Sequence, residues 1–192
     1  MDTKNIIYLS IDEHQKTIDE LLKTEVNLIE TIGICLANSL SNGATIFWCG
    51  NGGSSSDSQH LAAELIGRFK KNRRPLRSIA LNADTSVLTC IANDYLYRDV
   101  FSRQIEALGR SGDVLVGIST SGNSENVLQA IIYAKSLNIK TVALLGKGGG
   151  KIASEADYSL IIPSQITARI QEAHILIGHI FCEIIERELK LD

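Results

Sequence analysis

The sequence lacks the features that mark several large classes of protein. Only four of its 192 residues are cysteine, and no two of them form a C-x-x-C pair. A zinc knuckle and a thioredoxin-type redox motif are therefore excluded. The four residues, Cys35, Cys49, Cys90 and Cys182, are widely spaced. This spacing is typical of small core residues in a reducing compartment.

The chain also lacks a long hydrophobic run and a general excess of basic charge. No stretch of about 18 apolar residues is present, as a membrane span would need. The start of the chain, with Asp2 and Lys4, has no continuous apolar region of the signal-peptide kind. The net charge is −3 at pH 7, and the local basic run at 68–77 is typical of a solvated loop. We expect a cytoplasmic protein with no nucleic-acid or membrane partner.

Proline is scarce as well, with Pro75 and Pro163 alone, and helical and strand patterns occupy most of the chain. Apolar residues between Ile11 and Leu40 recur at helical spacing, which predicts one long helix or two joined helices. A helix of this length before the first strand often packs against another subunit. We expect residues 1–42 to serve in oligomerisation and residues 43–192 to form the rest of a single domain.

Five short apolar runs then alternate with helical segments. The predicted strands are 45–49, 78–81, 114–118, 141–145 and 158–162, and a last helix is predicted over 167–189. Regular alternation of this kind predicts an α/β domain with a parallel sheet and helices on both faces. Ligands bind such open sheets outside the carboxyl ends of the strands, so we expect the binding residues in the loops that follow the strands.

The loop at 119–124 follows the third predicted strand and precedes a helix predicted over 125–137. Its four hydroxyl residues are Ser119, Thr120, Ser121 and Ser124. Free backbone N–H groups and the positive end of the helix dipole attract anions at such a position. An ordinary N-cap needs only one hydroxyl. Four hydroxyls therefore favour a phosphate site over a simple cap.

Two glycine-rich stretches resemble nucleotide-binding motifs only superficially. The loop at 50–56 would need glycine at position 55 to match G-x-G-x-x-G, and that residue is Ser55. The stretch at 146–151 ends in Lys151, but Ile152 stands where a P-loop has a metal-binding Ser or Thr. We expect the second stretch to be a flexible turn between a strand and a helix. Nucleotide binding is disfavoured.

A histidine and a carboxylate share one face of the helix predicted over 56–69. His60 and Glu64 are four residues apart, the spacing at which the two groups can share a metal ion or a substrate. A simple His/Glu hydrogen bond on a half-exposed helix has the same spacing. The helix begins at the glycine-rich loop, whose backbone a ligand can approach closely, and this favours the functional interpretation.

The last predicted helix contains Gln171, His174 and His179 among dense apolar residues. A histidine in such a helix is usually a hydrogen-bonded core residue. Gln171 and His179 lie about 12 Å apart along the helix axis and roughly 80° apart around it. One small ligand could contact both only if the side chains lean together or if different subunits supply them.

Taken in chain order, these motifs resemble the sugar isomerase (SIS) domain, and within it the phosphoheptose isomerases, over nearly the whole chain. The stretches that carry the resemblance are Cys49 to Ser54, Gln59 to Arg68, Ala92 to Tyr95, Gly117 to Ser124, and Ala168 to His174 with His179. The resemblance implies a flavodoxin-like three-layer αβα sandwich with a five-stranded parallel sheet and an N-terminal helical extension. It also implies a homotetramer with active sites at subunit interfaces.

The resemblance further implies a role for each matching residue. The phosphate of the substrate would be held by Ser119, Thr120, Ser121 and Ser124. The sugar would be contacted by Asn51, Gly52, Gly53, Glu64, Asn93, Asp94 and Gln171. A divalent metal, usually zinc, would be bound by His60, Glu64, Gln171 and His179. Glu64 and His179 would also form the acid/base pair.

The implied reaction interconverts sedoheptulose 7-phosphate and D-glycero-D-manno-heptose 7-phosphate, which usually supplies heptose for lipopolysaccharide. Two alternatives stay open. A tetrameric SIS protein that binds the replication initiator resembles the chain over its full length, but lacks an acid at the position of Glu64 and a histidine at that of His179. The second alternative is that this chain is an isomerase of another sugar phosphate, such as a hexose or pentose phosphate, since the hydroxyl loop is shared across SIS domains.

Overall fold

In the computed structural model, which describes residues 2–191, the chain folds into a parallel sheet with helices on both faces. The strands are β1 (Ile46–Gly50), β2 (Ser78–Ala80), β3 (Val114–Ser119), β4 (Lys140–Leu145) and β5 (Tyr158–Ile161). They pair in parallel in the order β2-β1-β3-β4-β5. This is the flavodoxin-like strand order, so the expected fold class is confirmed.

The helices lie before, between and after the strands. They are α1 (Thr3–Thr24), α2 (Val26–Ser41), α3 (Gly53–Ile66), α4 (Thr85–Asp94), α5 (Ser102–Leu108), α6 (Glu125–Ser136) and α7 (Thr167–Glu188), with 3₁₀ turns at Tyr97–Asp99 and Ile152–Ser154. The N-terminal segment is thus two joined helices. It begins at Thr3, before the helical pattern that starts at Ile11. The first turns of α1 pack against little of the core, so the sequence there shows no buried apolar stripe.

The core has two halves, one on each face of the sheet, because side chains of a strand alternate between faces. Trp48 and Val116 pack on one side with buried residues of α2, α3 and α7. Phe47 and Leu115 pack on the other side with buried residues of α4, α5 and α6. Strands covered on both faces explain why the sequence shows continuous apolar runs rather than alternation.

Helix α3 begins three residues earlier than the predicted start at Ser56. Gly52 directly precedes it with φ of +57°, a conformation that suits glycine and lets the chain turn sharply after β1. The helix therefore starts as soon as the strand ends. This brings its first turn to the carboxyl edge of the sheet.

The same helix also ends earlier than predicted, at Ile66. The Arg73 guanidinium donates hydrogen bonds to the carbonyl oxygens of Glu64 and Leu65, at 2.8 and 2.9 Å, and so occupies the acceptors of the last turn. Phe69 consequently lies beyond the helix. The prediction that the helix extends to residue 69, with Phe69 on one buried stripe with Leu61 and Leu65, is therefore wrong.

Three smaller expectations also change. Cys90 is exposed, whereas Cys49 and Cys182 are the buried thiols, so not every cysteine is a core residue. The Arg73 side chain is only 1% exposed, although the basic run that contains it predicted a solvated loop. The stretch at 146–151 is a turn as expected, but a 3₁₀ turn follows it rather than an α-helix.

Helix α1 leaves much of its apolar surface uncovered by the rest of the chain. Its exposed apolar residues are Ile6, Ile7, Tyr8, Leu9, Ile11 and Leu22. Among residues 2–191, no helix combines the length and the hydropathy that a bilayer crossing demands.

Candidate active site

Loops at one edge of the sheet carry most of the predicted site residues. Gly50 in β1 pairs with Ile118 in β3, and Ser119 at the end of β3 pairs with Leu145 at the end of β4. Three segments therefore begin side by side: the glycine loop (50–56, which includes the first turn of α3), the hydroxyl loop (119–124) and the glycine tract (146–151). The carboxyl edge of a parallel sheet is where such folds bind ligands.

The serine hydroxyl groups of the hydroxyl loop contact one another and the loop backbone rather than capping α6. Ser119 Oγ and Ser124 Oγ lie 2.9 Å apart across the loop, and Ser121 Oγ accepts a hydrogen bond from the backbone N–H of Asn123 at 3.2 Å. Ser124 occupies the N-cap position of α6, but its hydroxyl makes no capping hydrogen bond. Capping does not account for Ser124, and the phosphate interpretation gains support.

The glycine tract supports the hydroxyl loop from behind. The backbone N–H of Ile152 donates to the Gly122 carbonyl oxygen at 3.0 Å, and that of Lys151 donates to Asn123 Oδ1 at 3.1 Å. The backbones of Gly122 and Gly149 approach so closely that a Cβ on Gly122 would overlap the Gly149 carbonyl. Glycine at 122 is required by this contact as well as by its φ of +66°.

Three metal-ligating side chains converge between α3 and α7. The ligand atoms of His60, Glu64 and His179 all lie within 4.8 Å of one another. His60 Nε2 is 3.1 Å from Glu64 Oε1, so the hydrogen bond that the sequence offered as the simple alternative is present. The structure adds His179, which the helical spacing of His60 and Glu64 could not place. The three side chains therefore form a candidate metal-binding group rather than an isolated pair.

The donor set of this cluster fits a zinc ion. Two imidazoles and one carboxylate are the ligands of many zinc sites that keep an open coordination position. His60 is exposed and Glu64 and His179 are half-buried, so a metal and a small ligand can both reach them. The cluster thus meets the chemical requirement for the expected divalent ion.

Aromatic packing fixes the His179 ring. The Phe69 ring stacks on it with centroids 5.4 Å apart and an interplanar angle of 20°. The His60 ring meets it edge-on, at 5.1 Å and 76°. The imidazole of His179 therefore has one covered face and one defined edge contact.

Phe69 is held in place by a buried carboxylate on α7. Glu186 accepts hydrogen bonds from the backbone N–H groups of Phe69, Lys70 and Lys71 at 3.2 to 3.3 Å, and from Arg73 Nε at 3.0 Å. The side chains of Glu186 and Arg73 are 5% and 1% exposed. The segment after α3 is therefore anchored to the helix that carries His179.

Burial shapes the titration of two groups near the site. His174 is fully buried on α7, and its Nε2–H donates to the Leu145 carbonyl oxygen at 3.0 Å, as expected for a core histidine. Burial lowers the pKa of His174 to about 4, although the Leu145 carbonyl opposes the shift. Burial also raises the pKa of Asp57 on α3, against the opposing influence of His60.

Comparisons with known proteins agree with this geometry. The SIS domain family model matches residues 11–146. A phosphoheptose isomerase of Nitratiruptor is 53% identical over 91% of this chain and 93% of its own length. One of Helicobacter pylori is 54% identical over 90% and 86%. The chain belongs to the phosphoheptose isomerases of the SIS domain family.

Solved structures of phosphoheptose isomerases share the whole fold. The enzyme from Neisseria gonorrhoeae superimposes with a TM-score of 0.92 at 42% identity, covering 97% of this chain and all of that one. The enzyme from Francisella tularensis gives the same TM-score at 33% identity. The fold of the phosphoheptose isomerases therefore extends over nearly all described residues, including α1 and α2.

Not every residue that the family resemblance implies meets the metal cluster. The side-chain amide of Gln171 packs against Gly53, where a Cβ would lie 2.6 Å from Nε2. Gly53 opens α3, about two turns before His60. Gln171 thus touches the glycine loop in this structure. Its role as a metal ligand stays a prediction.

Asn93 and Asp94 lie at the exposed end of α4. Asn93 Nδ2 donates to Asp94 Oδ1 at 2.7 Å, and Cys90 Sγ is 3.5 Å from Asp94 Oδ2. These described contacts are among neighbours on α4 and join neither residue to the His60 cluster. Their role in sugar binding also stays a prediction.

Two supporting residues escaped the sequence analysis. Glu186 accepts the backbone N–H of Phe69, and the Phe69 ring in turn stacks on His179, a predicted metal ligand. The available signal was a carboxylate within the apolar pattern of α7, since an acid on a buried face needs donors to satisfy it. The basic run after α3 supplied those donors.

Proposed function

We propose that this chain converts sedoheptulose 7-phosphate to D-glycero-D-manno-heptose 7-phosphate, with Glu64 and His179 as the acid/base pair. The observation that carries the proposal is the convergence of His60, Glu64 and His179 within 4.8 Å. Relatives that are about half identical over most of their length are named phosphoheptose isomerase. The alternative role of binding the replication initiator has no comparable support.

The chemistry asks for a base that acts on carbon and an acid that acts on oxygen. Glu64 removes a proton from C1 of the ketose, and the electron pair forms the C1–C2 double bond of an enediol. His179 supplies a proton to the carbonyl oxygen at C2. Return of a proton to C2 and loss of the O1 proton then give the aldose. Each group exchanges protons with the substrate and is restored at the end.

The hydroxyl loop holds the far end of the substrate. Ser119, Thr120, Ser121 and Ser124 surround the point where α6 begins, and backbone N–H groups there favour a dianion. Phosphate binding at one end and the acid/base pair at the other would fix the sugar between them. The Asn51, Gly52, Gly53, Asn93, Asp94 and Gln171 contacts to the sugar belong to this proposal.

We propose zinc as the cofactor, held by His60, Glu64, Gln171 and His179. Held by these residues, a divalent ion would supply electrostatic stabilisation of negative charge on the substrate oxygens. His60 and His179 would offer ring nitrogens to the ion, and Phe69 limits how the His179 ring can turn. Gln171 must leave its position against Gly53, or come from another subunit, to complete the set.

We also propose a homotetramer whose subunits complete one another's sites. Gly52, Gly53, His60, Asn93 and Asp94 are all exposed in one chain. An enediol intermediate needs protection from water. A neighbouring subunit would provide that cover, and the uncovered apolar residues of α1 offer it a surface. Four free cysteines fit a reducing cytoplasm, where the product would enter lipopolysaccharide heptose synthesis.

The test is to incubate the purified protein with sedoheptulose 7-phosphate, with and without zinc, and to follow the aldose by proton NMR. We expect conversion by the wild type and a loss of at least about a thousandfold in kcat for Glu64→Gln, because the amide cannot accept the proton. Substrate binding by calorimetry should survive in the variant. Wild-type turnover by Glu64→Gln would refute the catalytic assignment.

A further inference from the structure

The side chains of Asn51, Asn126 and Tyr97 form a hydrogen-bonded chain beside the proposed site. Asn126 is 2% exposed at the first turn of α6, directly after the hydroxyl loop. Its Oδ1 accepts the backbone N–H of Val127 at 3.0 Å. Since a backbone N–H can only donate, this bond fixes which end of the Asn126 amide is oxygen.

The orientation of Asn126 then dictates that of Asn51. Asn51 Nδ2 donates to Asn126 Oδ1 at 2.9 Å, and Asn126 Nδ2 donates to Asn51 Oδ1 at 2.9 Å. The two amides therefore form a reciprocal pair that joins the glycine loop to the start of α6. Turning either amide over would place N–H against N–H and oxygen against oxygen, with both bonds lost.

Tyr97 completes the chain from a third part of the molecule. Its hydroxyl is 3.0 Å from Asn51 Oδ1, which can only accept, so the phenol is the donor. Tyr97 lies in the 3₁₀ turn after α4, the helix that ends in Asn93 and Asp94. The side chain of Asn51 is thus engaged by α6 on one side and by this turn on the other.

We propose that Tyr97 and Asn126 are positioning residues for the isomerase site: they hold the glycine loop at a fixed distance from the hydroxyl loop. The inference rests on the proposed function. With its carbonyl oxygen occupied twice, Asn51 would serve the sugar through its remaining N–H or its backbone. Gly52, which follows it, has no side chain to pack and nothing within 4 Å of its Cβ position, so it depends on this anchor.

A double-mutant cycle with Tyr97→Phe and Asn126→Ala tests the proposal. We expect Tyr97→Phe to lower kcat/KM for sedoheptulose 7-phosphate about threefold to tenfold, mainly through kcat, as the loss of one positioning hydrogen bond predicts. Competitive inhibition by inorganic phosphate, which reports on the hydroxyl loop, should stay at its wild-type value in this variant. The double variant should be no slower than Asn126→Ala alone, because Asn51 is already released.

The matched control is Tyr133→Phe, which also removes a phenol hydroxyl. Tyr133 lies on α6 about 10 Å beyond Asn126 along the helix axis. It should leave kcat and KM unchanged. The proposal would be overturned if the kcat/KM losses of Tyr97→Phe and Asn126→Ala multiplied in the double variant. It would also be overturned if Tyr97→Phe were as active as Tyr133→Phe.

Hydrogen–deuterium exchange separates this inference from the proposed function. Tyr97→Phe should speed deuterium uptake in peptides that cover residues 50–56 and leave those covering 146–151 unchanged. If the wild type failed to convert the sugar while the variant showed this local increase, the proposed substrate would be refuted. The role of Tyr97 in holding the glycine loop would still stand. Unchanged uptake at 50–56 would refute the anchor whatever the activity.

Discussion

At the scale of single residues, burial separates the candidate metal ligands from the structural histidine. His60 and His179 reach a shared cluster that solvent can enter, whereas His174, on the same helix as His179, is enclosed by the core. The three histidines have the same chemistry. Their surroundings make two of them candidate ligands and the third a neutral structural group.

His174 makes stability depend on pH in the acid range. Its pKa is about 4 in the folded chain against 6.5 for an ordinary histidine, so the unfolded chain takes up the proton first as pH falls. Stability is therefore fully present above pH 6.5 and lost as pH falls toward 4. The loss from this group is up to about 3 kcal/mol. Urea unfolding of the wild type between pH 7 and pH 4 should show it.

The comparison for this prediction is His174→Gln, whose amide can still donate to the Leu145 carbonyl but cannot take up a proton. We expect this variant to lose less stability over the same pH interval. Equal slopes in the two proteins would mean that His174 does not control the acid response.

At the scale of secondary-structure elements, the connection from α3 to β2 decides the position of the His179 ring. Glu186 on α7 anchors residues 69–71, and Arg73 from the same segment closes the last turn of α3. One buried ion pair thus ties together the two helices that carry His60, Glu64 and His179. The Phe69 ring covers His179 as a consequence.

Arg73→Met should destabilise the fold and disturb the site together. It leaves the buried Glu186 carboxylate without its cationic partner, and losses of about 3 kcal/mol are typical of such a break. We expect the free energy of unfolding in urea to fall by this amount and kcat to fall as Phe69 is released. Restoration by the double variant Arg73→Met/Glu186→Gln should be partial.

The same segment offers a matched exposed ion pair. Lys70 Nζ lies 2.6 Å from Glu183 Oε1, with side chains 60% and 49% exposed. Lys70→Met should change stability by less than about 1 kcal/mol and leave kcat unchanged. If Lys70→Met and Arg73→Met behave alike, the buried pair has no special part in holding the segment.

At the scale of the whole molecule, α1 is the element least explained by a single chain. Ile7 and Ile11 are 53% to 54% exposed and one turn apart on this helix. Apolar side chains grouped in this way on a surface indicate a protein interface. The proposed tetramer gives them a partner.

Introducing charge at this surface should dissociate the assembly. Ile7→Glu/Ile11→Glu should reduce the mass measured by light scattering from the tetramer to a smaller species, because a carboxylate is costly to bury at an apolar contact. Activity should fall with the mass. Lys16→Glu, exposed on the side of α1 opposite to Ile7 and Ile11, should leave both unchanged. A tetrameric double variant would show that this surface is not the interface.

Much of the fold was predictable because its signals are local. Continuous apolar runs predicted all five strands within one residue at either end, since a strand buried on both faces needs no polar side chains. Helix α6 was predicted to within one residue at its end, because its apolar residues recur at helical spacing. The ends of α3 were not, because Gly52 sets one and Arg73, seven residues past the helix, sets the other.

The sequence by itself determined the parallel α/β sheet, the hydroxyl loop at the start of α6 and the pairing of His60 with Glu64, because these follow from residues near one another in the chain. Only the tertiary structure brought His179 to that pair, placed Phe69 on its ring and linked Asn51 to Tyr97 and Asn126. Those contacts join residues that are distant in sequence. Their partners are chosen by how the helices pack on the sheet, which local periodicity does not encode.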